Sequence, residues 1–313
     1  MTKTFIDLYY LMHPLTEKPL LQRFRIYSVG RFLVRLAANI VLPVHYRLTA
    51  GKRYCVSPDS DFVVTLTSFP LRTGKLWLTI ETLLRQTYRP REICLWLSRE
   101  QYPEGKASLP RRLLKQQERG LHIFFVPNDY RSHKKYYTIL QQQQTAVVMV
   151  DDDIFYTPDL LERLHDEHLK HPRDVIAPYT HRIRYDEKGE VMPYSQWQFH
   201  YTGGDDLFFG SGGGTCFPVG SLYKDVCHIE HALQTCPVAD DIWLNAQVRL
   251  AGTHIRRLPA PKPYRFINIM RRKNINLCDE NIEIGRRNDD QLEHLIALYQ
   301  TLEGRNPFAP CVE

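Results

Sequence analysis

The stretch Ala146-Val147-Val148-Met149-Val150-Asp151-Asp152-Asp153 joins five apolar or small residues directly to three carboxylates. The apolar run is short and rich in β-branched valine, so it reads as a buried strand of an α/β sheet. The acids then fall at the carboxyl end of that strand, where open α/β sheets bind their ligands. Three adjacent carboxylates repel one another, so a cation is expected in the space between them. Oxygen donors of this kind suit a hard divalent ion, Mg²⁺ or Mn²⁺. The plainer alternative is a set of turn-forming aspartates that opens the next loop. Fusion of the triplet to an apolar strand favours the metal site.

On the amino-terminal side of this stretch, residues 61–68 read as a first strand, and Ser68-Phe69-Pro70-Leu71-Arg72 as the loop leaving it. Leu76, Trp77, Ile80, Leu83 and Leu84 then recur at helical spacing until Pro90. Residues 92–97 and 121–126 are the second and third strands, with helices expected over 109–117 and 132–144. Four βα units in a row predict a doubly wound, mostly parallel central sheet flanked by helices, an α/β fold. On the carboxyl side, Thr157-Pro158-Asp159 has the chemistry of a helix start, with Thr157 as N-cap. Beyond Asp174 the pattern is irregular: a short strand at 175–177, an extended aromatic run at 194–201, and a glycine-rich segment at 203–214. A helix over 239–252, a loop at 274–282 and an amphipathic helix over 289–302 complete the chain.

The 313 residues, 43% hydrophobic and 24% charged, suffice for one large α/β domain with appended ends. The net charge of +6 is compatible with an anionic partner such as a nucleotide or a phospholipid surface. No nucleic-acid recognition motif such as an RRM or zinc finger is present, so nucleic acid is not expected as a partner. Seven cysteines without CxxC or zinc-ribbon spacing suggest free thiols in a reducing compartment. No stretch reads as the ~20 apolar residues of a membrane span, and no secretory leader is recognisable. A cytoplasmic location is therefore expected. Residues 1–60 precede the first strand. Arginines interleave there with large apolar residues over 20–27 and 31–38, which fits a basic amphipathic helix lying on an anionic membrane. Packing of that helix on the main domain fits the periodicity equally well.

Three further features stand where they can meet the acidic triplet. Arg72, Lys134 and Lys135 follow strands expected beside the fourth and suit a diphosphate, and Asp129 suits a base or ribose. Each lysine taken alone is more simply a solvated helix start. Gly210-Ser211-Gly212-Gly213-Gly214-Thr215 lacks the ending of a phosphate-binding P-loop; its glycines fit a close backbone approach to a sugar or helix, or a flexible turn. Ala239-Asp240-Asp241-Ile242-Trp243-Leu244-Asn245 opens a helix, where the dipole and free N–H groups favour ionised carboxylates. An ionised carboxylate is what a general base must be.

The order strand–Asp-Asp-Asp, Thr-Pro-Asp-Leu, glycine-rich segment, then Asp-Asp-Ile-x-x-Asn opening a helix that ends in glycine resembles the nucleotide-sugar glycosyltransferases of the GT-A fold. It is similar in particular to the carboxy-terminal transferase domain of the exostosins and to bacterial transferases that build lipopolysaccharide and capsule. The matched order runs over residues 61–258. The resemblance implies a metal bridging the donor phosphates, with Asp151 and Asp153 flanking it and the ribose, and Asp152 nearer the donor sugar. Asp241, and less directly Asp240, would face the reacting centre. Ser68, Pro70 and Arg72 would lie along the nucleotide, and Lys134, Lys135 and Tyr136 match a basic segment of the bacterial members. Some such enzymes use a late histidine as an extra metal ligand; His254 and His228 are available, but no motif selects either.

The expected function is thus metal-dependent transfer of a sugar from a nucleoside-diphosphate donor to a glycan or lipid-linked acceptor, in lipopolysaccharide or capsule synthesis. Residues 61–156 would form the donor half and 157–313 the acceptor half, with the amino-terminal segment peripheral on the inner face of the plasma membrane. The rivals are a sugar-phosphate nucleotidyltransferase and a non-catalytic carbohydrate-binding protein. A nucleotidyltransferase is expected to carry a glycine-rich loop after the first strand, which Ser68–Arg72 is not.

Overall fold

The computed structural model describes residues 1–13, 25–51, 53–199, 206–260, 264–270 and 287–310. Its centre is a seven-stranded sheet whose strands lie side by side in the order Ile255–Arg257, Val175–Ala177, Gly213–Phe217, Ala146–Val150, Phe62–Thr67, Glu92–Ser98, Leu121–Val126. The first four strands are β1 (Phe62–Thr67), β2 (Glu92–Ser98), β3 (Leu121–Val126) and β4 (Ala146–Val150). β1 runs parallel to both β2 and β4, and β2 parallel to β3. The far side comprises β6 (Val175–Ala177), β9 (Gly213–Phe217) and β10 (Ile255–Arg257), of which β9 alone is antiparallel to its neighbours.

Alternation along the strands explains why the sheet is buried on both faces. Val148 and Val150 of β4 join Val64, Leu66, Ile93 and Leu95 in one core, together with Leu76, Ile80 and Leu83 of the Pro70–Leu84 helix. Val147 and Met149 point the other way, into a core built with the helices Asp240–Leu250 and Arg287–Glu303. Successive side chains of a strand face opposite sides, so an uninterrupted apolar strand needs cover on both. All five residues of β4 are buried.

Several expectations need correcting. The glycine-rich segment is not a plain turn, because it contains β9, which pairs along β4. Thr215 opposes Met149 and Gly213 opposes Val150, so Gly214 is an extra residue in a bulge. Its φ of +97° is one that side-chain-bearing residues rarely adopt. Within the described part of the 194–201 run, Tyr194–Gln196 is a 3₁₀ turn rather than extended chain, and Gln198 forms an antiparallel bridge with Arg182. The helix after Thr157 begins at Leu160, with Asp159 rather than Thr157 at the N-cap. The loop expected at 274–282 lies outside the described residues.

The amino-terminal segment forms two helices, Thr2–Leu11 and Ile26–Thr49. Residues 20–24 of the first arginine-containing run lie outside the described residues. Contrary to expectation, Ile26–Thr49 is long and apolar enough to cross a membrane, with a mean hydropathy of 1.3 over its best window. Its arginines are spaced widely enough to leave long apolar runs between them. The five cysteines among the described residues are free thiols.

Candidate active site

β1 and β4 are adjacent, and the order β3-β2-β1-β4 changes direction between them, so the loops leaving their carboxyl ends border a crevice. A cleft of about 900 Å³ opens there. Ser68, Arg72, Asp129, Lys134, Lys135, all three acids of the triplet, Asp240 and Asp241 line it. Pro70 does not; it occupies the exposed first turn of the Pro70–Leu84 helix.

The acidic turn is fixed from several sides. The Asp151 N–H donates to the Tyr156 hydroxyl at 2.7 Å, and that hydroxyl donates to the Gly212 carbonyl at 2.5 Å. Thr79 Oγ1 donates to the Asp152 carbonyl at 2.9 Å. On the other flank, β5 (Ile154–Phe155) pairs antiparallel with β11 (Ile267–Asn268), and the Ile269 N–H donates to the Asp153 carbonyl at 2.7 Å. A Cβ on Gly212 would overlap the Asp151 carboxylate. A side chain at position 212 would therefore displace the Asp151 carboxylate from its present position.

The three carboxylates have different surroundings. Asp152 is buried, accepts from Ser68 Oγ at 2.5 Å and pairs with Arg72 at 2.7 Å. Asp153 lies 3.4 Å from the same guanidinium. Asp151 is the most open, its side chain 46% exposed, and lies 3.3 Å from Lys135 Nζ. The protein thus supplies cations of its own at the triplet. Lys135 also pairs with Asp240 at 2.7 Å. Asp151, Asp152, Asp153 and Asp240 thus outnumber the two cations, Arg72 and Lys135, that pair with them. Asp151 and Asp153 line the cleft and offer hard oxygen donors, whose chemistry suits Mg²⁺ or Mn²⁺.

Neither lysine is the solvated helix start expected of it. Lys134 and Lys135 are both buried at the opening of the Lys134–Gln141 helix. Lys134 pairs with Asp129, which also accepts from Gln101 Nε2 at 2.6 Å. Burial pushes the Lys134 pKa down, against the pull of Asp129. Burial acts in the same direction on Lys135, but Asp240 and Asp151 outweigh it and hold the ammonium firmly protonated. Buried His133 anchors the segment: Nδ1 meets the Tyr136 hydroxyl and Nε2 the Cys236 carbonyl, each at 2.7 Å.

Asp240 and Asp241 occupy the first turn of the Asp240–Leu250 helix. Asn245, one turn on, bonds both backbone groups of Phe209 in β8 (Leu207–Phe209), accepting at 3.0 Å and donating at 2.9 Å. That clamp brings Ser211 onto the acids. Its hydroxyl donates to Asp241 at 2.5 Å and its N–H to the same oxygen at 2.8 Å. The two acids then diverge. Burial raises the Asp240 pKa, but the adjacent Lys135 brings it below the usual carboxylate range. Burial and the charge of Asp240 push Asp241 up to about 7. The helix terminus alone was expected to keep both ionised; for Asp241 burial and like charge override the dipole.

Three features at or behind the cleft have no counterpart in the sequence reading. Ser211 lies inside the quoted glycine segment, and its neighbours pointed to it only as backbone. Tyr179, His181 and Phe199 form an aromatic wall, with ring centroids 4.7 Å apart for Tyr179–His181 and 4.5 Å for His181–Phe199. Arg35 reaches the cleft from the amino-terminal helix. His254 lines a separate pocket of about 360 Å³ beside Arg249, and His228 groups with Asp225 and His231; neither histidine lines the acidic cleft.

No protein-family model and no curated protein matches the chain. Among solved structures, it is similar to residues 1–349 of S. aureus TarS in complex with UDP-GlcNAc. The TM-score is 0.44 at 12% identity, over 80% of this chain and 75% of that one. It is similar also to the mannosyltransferase PcManGT from Pyrobaculum calidifontis in complex with GDP-Man and Mn²⁺, with a TM-score of 0.43 at 12% identity, over 89% and 77%. A longer TarS structure has a TM-score of 0.39 at 14% identity, and this chain spans 36% of its length.

Proposed function

We propose that this protein is a metal-dependent glycosyltransferase that moves a sugar from a nucleoside-diphosphate donor to an acceptor hydroxyl. One observation carries the reading. Asp151 of the triplet and Asp240 of the helix pair, 89 residues apart in sequence, share a buried lysine in a single cleft at the carboxyl ends of β1 and β4. The motifs whose order resembles that of GT-A transferases thus converge on one cleft.

Asp151 and Asp153 would hold Mg²⁺ or Mn²⁺. When bound, that ion offsets the negative charge that develops on the departing diphosphate. Arg72 neutralises and orients Asp152 and Asp153, and Ser68 fixes the other Asp152 oxygen. Lys135 keeps Asp240 ionised and joins the two acidic groups in one rigid arrangement. Asp241, poised near neutral pH, is suited to take the proton of an attacking hydroxyl. Ser211 fixes the orientation of that carboxyl. The rings of Tyr179 and Phe199 add apolar surface to the same cleft, as small-molecule pockets commonly have. The acceptor this proposal includes is a glycan or lipid-linked glycan of lipopolysaccharide or capsule synthesis.

Incubation with nucleotide sugars, Mn²⁺ and a glycan acceptor should release a nucleoside diphosphate. Release of pyrophosphate from a sugar phosphate and a nucleoside triphosphate would instead identify a nucleotidyltransferase.

A further inference from the structure

The helix Ile26–Thr49 has two faces of different character. Ala38, Leu42 and Tyr46 have no exposed surface and belong to the core. At 100° per residue, the opposite side carries Val29, Leu33, Ile40 and Val44. These are 53%, 55%, 60% and 50% exposed. Phe32 and Leu48 extend the stripe at 55% and 81%. From Val29 to Leu48 it runs about 28 Å at 1.5 Å per residue. Single exposed apolar residues need no explanation, but a continuous stripe of this length does.

Charge indicates what covers it. Residues 1–53 hold nine lysines and arginines against two acids, a net +7. The whole chain carries +6, so the other 260 residues come to −1. The positive balance of the protein is thus confined to the segment that bears the stripe. Lys3, Arg25, Arg47 and Arg53 of this segment are exposed, and Arg47 shares the outward side of the helix with Val29 and Val44. An exposed apolar stripe in a strongly cationic segment is the form of a helix that lies in the surface of an anionic bilayer.

The inner face decides between lying and crossing. Besides its buried side chains, Asn39 bonds the Asn268 carbonyl at 3.0 Å and accepts from the Met270 N–H at 2.7 Å. The helix cannot span a bilayer without leaving the core. We infer that Ile26–Thr49 seats the protein on an anionic lipid surface through Val29, Leu33, Ile40 and Val44, as a helix in the membrane plane. Arg35 and Asn268 of this same region line the acidic cleft. Part of the cleft wall is therefore built on the helix that would meet the lipid. Resting on the transferase reading above, the acceptor class this favours is a lipid-linked glycan presented at the membrane surface.

Co-sedimentation of the full chain with phosphatidylglycerol–phosphatidylcholine vesicles tests the seat without donor or acceptor. The wild-type chain should pellet with the vesicles. The triple substitution L33E/I40E/V44E should lower the bound fraction at least tenfold while leaving the melting temperature and any donor-induced shift unchanged. A wild-type chain that stays in the supernatant, or a triple variant that pellets equally well, overturns the inference. So does a triple variant whose only change is from dimer to monomer, because a second copy would then be the occupant. Vesicle binding without any response to nucleotide sugars would leave the seat standing and remove the transferase reading instead.

Discussion

The Lys135 ammonium lies 2.7 Å from Asp240 Oδ2 while belonging to a helix that follows a different strand. The same nitrogen is 3.3 Å from Asp151, and its side chain is only 4% exposed. One cation thus holds together acids from β4 and from the Asp240–Leu250 helix. Removing it leaves buried Asp240 without its main counter-ion, a loss that typically costs about 3–5 kcal/mol. Lys135→Ala should therefore lower unfolding free energy by roughly that amount in urea titrations. A change below about 1 kcal/mol would show that the pair is not coupled as described.

Asp241 should set the pH dependence of transfer. Its carboxyl is pushed up to about 7, and the deprotonated form is the base. Activity should rise with pH through about 7 and fall away below it. Asp241→Asn should lose about 10²–10⁴-fold in kcat and leave donor binding in place. A wild-type rate that is flat between pH 5.5 and 8.5 would remove Asp241 from this role.

The same shift has a consequence for stability with the opposite slope. A carboxyl whose folded pKa exceeds its unfolded value binds more protons folded than unfolded between roughly pH 4 and 7. Stability is lost there as pH rises. Asp241→Asn removes the titration, so above pH 7 the variant should melt higher than wild type, by on the order of 2–4 °C per kcal/mol relieved. A melting-temperature difference that does not change between pH 5 and 8 would contradict this.

A control far from the chemistry lies on the Pro70–Leu84 helix. Glu81 is 1% exposed, pairs with Arg85 at 2.7 Å, and also pairs with Arg119. Neither it nor either arginine lines the cleft. Glu81→Ala should destabilise the fold by about 3–5 kcal/mol while leaving the dissociation constant for a donor unchanged below the melting transition. Weakened donor binding in the folded variant would mean that this network reaches the site.

These contrasts also show what the sequence could disclose. β4 and its acids were legible because five apolar residues and three acids leave few conformations open. Leu76, Trp77, Ile80, Leu83 and Leu84, read as one helix face, are all buried. β9 was not legible. Its glycines carry no strand preference, and a Cβ at Gly214 would meet the Leu160 side chain. The burial of Lys134 and Lys135 was equally hidden, because it depends on Asp129, Asp151 and Asp240 arriving from elsewhere in the chain. The apolar character of Ile26–Thr49 was masked by arginines that interrupt it without matching its exposed stripe.

The most direct test is a thermal-shift titration of the wild-type and Asp151→Ala chains with UDP-, GDP-, CMP- and dTDP-sugars, each with and without Mn²⁺. At least one donor should raise the wild-type melting temperature by several degrees only when Mn²⁺ is present, and Asp151→Ala should abolish that shift. No response to any donor, or a response indifferent to both the metal and Asp151, would contradict the account.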